Sequence, residues 1–323
     1  MNLCQTLWTS YDALKQAHSD AEMFLEEGKN LSLADYKNAL EKLSKAKEDY
    51  NKSFYTTLPD GREIYTLDYL SIIRLCDVNE VDLNEILAKQ KDNFLEDRRV
   101  NSLDLYDTSV SDLTQLAELS NLHELECSNT KVSDLTPLVG LTNLQQLYCY
   151  NTKVSDLTPL AGLTNLLVLL CRNTQVSDLT PLARLTNLQK LWCDNTQVSD
   201  LTPLANLNNM KWLDCCHTQV IDLTPLVGFT NLQILNCSET QVSDLTPLLG
   251  LTNLLVLLYW NTEVSDLTPL GGLINLEELD FKNTQVSDLT PLANLTNLIN
   301  VDAQNNKLNI NSKYLAQQKG WHI

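Results

Sequence analysis

Apolar and polar positions recur every 22 residues from about Val100 to Leu308, without insertion or deletion. Leu103, Leu125, Leu147, Leu169, Leu191, Leu213, Leu235, Leu257, Leu279 and Val301 mark ten units at one phase. Each unit has two parts. Around Leu147, the run Leu144-Gln145-Gln146-Leu147-Tyr148-Cys149 alternates about its apolar positions, which predicts a short strand. Asp156-Leu157-Thr158-Pro159-Leu160 then reads as a capped helical turn, because Asp accepts backbone N–H bonds and Pro is tolerated in a first turn. Leu144, Leu147, Cys149, Val154, Leu157, Leu160 and Leu163 cannot all be buried inside one unit, so stacked neighbours must bury them as a continuous core. The expected architecture is an α/β solenoid whose strands form one concave parallel sheet. Ten rungs at ~4.8 Å each would span roughly 45 Å.

The first hundred residues have helical rather than 22-residue spacing. Leu7, Tyr11, Leu14, His18, Ala21 and Leu25 form one stripe, and Leu33, Tyr36, Leu40, Leu43, Tyr50 and Phe54 a second, which predicts an antiparallel helical hairpin. A turn at Pro59-Asp60-Gly61 precedes two further predicted helices, 66–76 and 81–96. A solenoid exposes apolar core at both ends and needs caps. The chain therefore divides into a helical region over 1–80, a capping helix within 81–99, repeats over 100–308 and a carboxyl-terminal cap over 309–323 that uses Tyr314 and Leu315. The hairpin is longer than a cap demands, which leaves room for a second binding or targeting role.

The Leu-x-x-Leu-x-Leu/Cys pattern and the block Ser-Asp-Leu-Thr-Pro-Leu, present in seven units, resemble the leucine-rich repeat family, in the 22-residue bacterial type of internalin-like proteins. The resemblance covers roughly residues 100–308 and implies a repeat rod that binds a protein. Two features depart from it. Thr108 to Thr284 hold, in nine successive units, the position where that family usually places Asn, and Asn306 alone restores it. The export signal and wall-anchoring tail of internalins have no counterpart in this sequence, so extracellular adhesion does not carry over.

Charge changes the picture of partners. A formal net charge of −18 disfavours a phosphate-binding groove, so no nucleic-acid partner is expected, although an acidic mimic of nucleic acid stays open. Nine of the acids, Asp112 to Asp288, belong to the repeated block and read as structural caps. No apolar run reaches the ~20 residues of a membrane helix, and the amino terminus shows no secretory pattern. A cytoplasmic setting is expected, with export by a signal-peptide-independent route as the other possibility.

Six of nine cysteines, Cys127, Cys149, Cys171, Cys193, Cys215 and Cys237, share one repeat position with Leu105, Tyr259, Phe281 and Ala303. This reads as a ladder of buried, reduced thiols, since stacked rungs aim poorly for disulfides and no C-x-x-C spacing exists for a metal. Faster labelling is expected only at Cys216 and at Cys4 or Cys76. Cys216 faces outward beside His217, but sequence neighbours rarely meet as a nucleophile and base. The other histidines, His18, His123 and His322, read as packing, variable-position and terminal residues. No phosphate loop or Ser/His/Asp set occurs, and no cofactor or metal is expected. An enzyme would have to place its catalysis in the amino-terminal region.

Partner information resides in positions that do not repeat. Three outward columns of the strands gather two apolar clusters: Tyr148, Tyr150, Val168, Leu170 and Trp192, then Trp212, Ile234, Val256, Leu258 and Trp260. Arg172, Lys190 and Asp194 lie between them, Cys216 and His217 lie beside them, and Glu124, Glu126, Glu278 and Asp280 flank them. Exposed apolar patches mark interaction sites, and Trp, Tyr and Arg dominate binding hot spots. The expected function is non-enzymatic binding of a protein partner, as a cytosolic adaptor or inhibitor; a bacterial effector is the alternative. Covering of this face by the amino-terminal region, or by a second copy in self-association, is the plainer reading. Removing Trp192 or Trp212 is expected to change stability by no more than ~0.5 kcal/mol.

Overall fold

The structure, a computed structural model, describes residues 55–323 together with residues 41, 42 and 45. The helical hairpin expected before Phe54 lies outside the described residues. Ten three-residue strands, from β5 (Ser102–Asp104) to β14 (Asn300–Asp302), form one parallel sheet in strict sequence order. Register is set by the repeat: Leu103 pairs with Leu125, Leu191 with Leu213, and Leu279 with Val301. A shift of one residue would turn every central leucine outward. The fold is an α/β solenoid whose return arm is a single 3-10 turn, such as Thr158–Leu160, with Pro in its first turn.

Burial follows the pattern read from the sequence. Leu144, Leu147, Cys149, Val154, Leu160 and Leu163 are fully buried and Leu157 is nearly so. The six ladder cysteines are buried free thiols. Each Asp of the repeated block accepts a hydrogen bond from the backbone N–H two residues on, at 2.7–3.0 Å. This is an Asx turn, which fixes the entry to the 3-10 arm.

The threonines that depart from the family pattern have a defined task. From Thr108 to Thr284 each hydroxyl donates to the carbonyl three residues back, at 2.5–2.9 Å. In the last unit Asn306 reaches further: its amide donates to Phe281 and Ala303 carbonyls and its oxygen accepts from Thr284. An amide offers both donors and acceptors, so Asn306 ties two rungs together at the end of the rod.

The amino-terminal cap differs from the expected one. Strands β1 (Tyr55–Thr57) and β2 (Glu63–Tyr65) form a hairpin around the Pro59-Asp60-Gly61 turn. Helix α1 (Thr66–Asn79) runs past 76 until Glu80 adopts a left-handed conformation. The helix expected over 81–96 is only α2 (Leu83–Lys89), followed by a 3-10 turn and a small hairpin of β3 (Leu95–Glu96) and β4 (Arg99–Val100). The physical reason lies at Gln90. Its backbone is extended, and its amide both donates to the Asp104 carbonyl and accepts from the Asp104 N–H. Gln90 thereby satisfies the open edge of β5, which a continuing helix would not do. Asn79 accepts from the Ser111 and Asp112 N–H groups and donates to the Asp112 carbonyl, and buried Asp68 accepts from Arg99 and the Val100 N–H.

At the other end, helix α3 (Ile310–Lys319) and the terminal residues close the core. Ala316 and Trp321 are buried and Leu315 packs against the core, whereas Tyr314 is exposed and takes no part in the seal. The His322 backbone pairs with β14, donating to Val301 and accepting from Ala303.

Candidate functional site

Along the seven strands between Glu124 and Leu258 the central residue is buried and its two neighbours are half-buried on the outer face, as in Lys190-Leu191-Trp192 and Trp212-Leu213-Asp214. The fold therefore places the candidate residues on one surface. Tyr148, Tyr150, Leu170, Lys190, Trp192, Trp212, Cys216, Ile234, Leu258 and Trp260 are all half-buried there, and Arg172 and His217 are exposed. The Trp192 and Trp212 rings meet at 4.6 Å with a 54° tilt, which joins the two apolar clusters into one strip. An aromatic pair of this kind contributes about 1 kcal/mol. Loss of either ring is therefore a change in packing as well as in surface, contrary to the expectation of near-neutral stability.

Cations sit over the rings rather than over the central acids. Arg172 lies 4.8 Å from the Tyr150 ring, Lys190 5.7 Å from Trp212 and Lys282 5.4 Å from Trp260. Lys282 also pairs with Asp280 at 3.0 Å. Tyr106, exposed and 6.3 Å from Tyr150, extends the strip to the first rung. Its place in the same column as Tyr150 was a signal in the sequence.

The central acids are displaced from ordinary behaviour. Burial, with help from Asp214, pushes the Asp194 carboxyl up to about 6. Burial also raises Asp214, although its oxygens accept from the Cys216 N–H at 3.0 Å and from the Asn236 amide at 3.1 Å. Asp194 Oδ1 is enclosed and has no hydrogen-bond partner among the described residues.

Cys216 and His217 do not form a nucleophile and base. Burial and the surrounding carboxylates Asp214, Glu239 and Asp194 push the Cys216 thiol up to about 12, which removes the thiolate that reactivity requires. The His217 ring turns to Glu239, with Nδ1 2.6 Å from Oε2. Cys76 is buried with its thiol raised to about 11, so neither described cysteine singled out for fast labelling is activated. Cys4 lies outside the described residues.

His217 and Glu239 mark another break in the repeat. Both have a positive φ at a position that Asn holds from Asn129 to Asn195 and from Asn261 to Asn305. Asn tolerates the left-handed conformation better than other side chains and here forms a ladder, in which Asn151 donates to Asn129 and Asn195 to Asn173. His217 and Glu239 replace that link with their own pair, bordering a shallow groove with Asn195, Gln197 and Gln219. Glu239 was legible as a break in the Asn column; its pairing with His217 was not.

Comparisons with known proteins agree with this architecture. The family of "Leucine Rich repeats (2 copies)" matches residues 120–162, 164–206, 208–250 and 252–294, more than half of the chain. The chain is similar to the solved structure of internalin C2 from Listeria monocytogenes, at 33% identity and a TM-score of 0.53, covering 64% of this chain and 81% of that one. It is similar in fold to internalin InlF of the same organism, at 24% identity and a TM-score of 0.61, covering 77% of this chain and 88% of that one. It is also similar in fold to the functional domain of Listeria monocytogenes InlJ, which includes a cysteine ladder, at 22% identity and a TM-score of 0.54, covering 65% of this chain and 50% of that one. No curated protein sequence matches it.

Proposed function

The chain belongs to the leucine-rich repeat family, as a bacterial internalin-like member, and we propose that its outer strand face binds a protein partner through the strip centred on Trp192 and Trp212. The family is an interaction module, and non-enzymatic binding is the activity its fold serves. One observation carries the assignment to this face. Corresponding positions on other rungs hold Asp104, Glu126, Asp280 and Asp302, or Ser102 and Glu124, so the solenoid needs no aromatic residue there. Tyr148, Leu170, Trp192, Trp212, Ile234, Leu258 and Trp260 nevertheless form a contiguous apolar strip rimmed by acids, which is the anatomy of a binding surface.

Two settings accommodate this binding. As an adaptor or inhibitor the protein would act in the cytoplasm, where its ladder thiols stay reduced. As an effector it would act after export without a cleaved signal. No helix among the described residues is long and apolar enough to cross a membrane.

Affinity capture with the full chain, read by mass spectrometry, tests the proposal when run beside a Trp192→Ala/Trp212→Ala variant shown by its melt to be folded. Proteins captured by the wild type and lost with the variant are the expected result. Identical capture by both would move the site off this face.

A further inference from the structure

The carboxylates at the centre of the strip carry more information than its aromatic residues. Asp194 and Asp214 occupy adjacent rungs; Asp214 accepts from the Cys216 N–H and the Asn236 amide, whereas Asp194 Oδ1 is enclosed without a partner among the described residues, a state in which a charged carboxylate costs free energy that the fold does not return. No lysine, arginine or histidine lies within ion-pair distance of either acid among the described residues. Arg172 eases Asp194 only through space, and its guanidinium lies over Tyr150. Ser238, one rung beyond Cys216 in the Asp194 column, is wholly buried, and its Oγ also lacks a hydrogen-bond partner. Two unpartnered polar groups thus flank Cys216 in a single outward column, beside the tilted Trp192–Trp212 pair.

Resting on the reading of this face as a partner site, we infer that its centre seats a basic side chain, lysine or arginine, from the protein partner. The head group would lie between Asp194 and Asp214, and its methylene stem against the Trp192 and Trp212 rings. Long basic side chains suit such a place because they bury an apolar stem and carry a charge that aromatic faces and carboxylates both attract. A metal ion fits less well, because no group of three metal-ligating side chains occurs among the described residues. The acids at the ends of the face, Glu124, Glu126, Glu278, Asp280 and Asp302, add a field that would draw in a basic segment and set its register.

The test uses a display library of random twelve-residue peptides, selected on the full-length protein, on Asp194→Asn/Asp214→Asn and on Trp192→Ala/Trp212→Ala. Peptides from the wild-type selection should carry a lysine or arginine between apolar residues. A synthetic copy of the strongest binder should lose at least tenfold in affinity when that lysine becomes norleucine, and similarly against the double Asn variant. Asp194→Asn alone, nearly unchanged in shape, gives the same reading if the double variant melts early. Peptides that need the tryptophans but show no basic enrichment, or bind the Asn variants unchanged, would overturn the basic seat and leave the face intact. Selection of no tryptophan-dependent peptide would remove the face itself, and this inference with it.

Discussion

Carboxylates stand in two regions of this molecule, and the fold treats them in opposite ways. Along the 3-10 side, Asp156, Asp178 and Asp200 each accept hydrogen bonds from the Thr two residues on. Those bonds, side chain first and backbone second, hold them below the usual carboxylate range. On the outer strand face, Asp194 and Asp214 are pushed above it, by burial first. The first set builds the turn and is repaid locally. In the second set Asp214 is satisfied only in part, by the Cys216 N–H and the Asn236 amide, and Asp194 Oδ1 has no hydrogen-bond partner among the described residues. Repetition marks the acids that fold the chain, and departure from repetition marks the candidates for recognition.

The comparison breaks most severely in the core that both regions share. Leu191→Ala empties a fully buried rung position between Lys190 and Trp192 and should lower stability by ~3 kcal/mol. Chemical denaturation measures it. A loss below ~1 kcal/mol would mean that the rungs are packed more loosely than the structure shows.

On the strand face, Trp212→Ala should weaken partner binding by ~2 kcal/mol, close to thirtyfold. Because the two rings pack on each other, it should also lower stability by ~1 kcal/mol. Binding isotherms and melts on one preparation separate these effects. On the turn side, Asp178→Ala should cost ~1 kcal/mol of stability and leave binding untouched, whereas Asp178→Asn, which keeps an accepting oxygen, should restore most of the loss. A change in partner affinity in Asp178→Ala would show that the two regions are coupled.

Acidification gives the smallest and most discriminating difference. Asp194 titrates near 6 when folded and near 3.8 when unfolded, so the folded chain takes up the proton first as pH falls. Stability from this group should rise between about pH 7 and pH 5, by a melting shift of about 2 °C. Asp178 runs the other way: its lowered value confers stability that is present above 3.8 and lost only as pH falls below it. Melts at pH 7 and 5 should show a smaller rise in Asp194→Asn than in wild type, since Asp214 and Glu126, also raised by burial, remain. An equal rise in both would place the titration elsewhere.

The repeat alone determined the strands, their order and register, the buried leucines and cysteines, and the side of the sheet from which each tryptophan projects. A period of 22 residues leaves one way to bury Leu147 against Leu125 and Leu169, and strand alternation then fixes what faces out. Tertiary structure decided everything that depends on distance between side chains of different rungs or on non-repeating sequence. It stacked Trp192 on Trp212, turned His217 toward Glu239 rather than Cys216, and enclosed one oxygen of Asp194. It also ended α2 at Lys89 so that Gln90 could pair with the edge of β5, where local helical spacing ran on to Glu96. Periodicity constrains backbone and burial because every unit votes for the same answer. A single Gln, His or Asp has no such repetition behind it, and its role is set by whichever neighbour the completed fold brings within hydrogen-bonding reach.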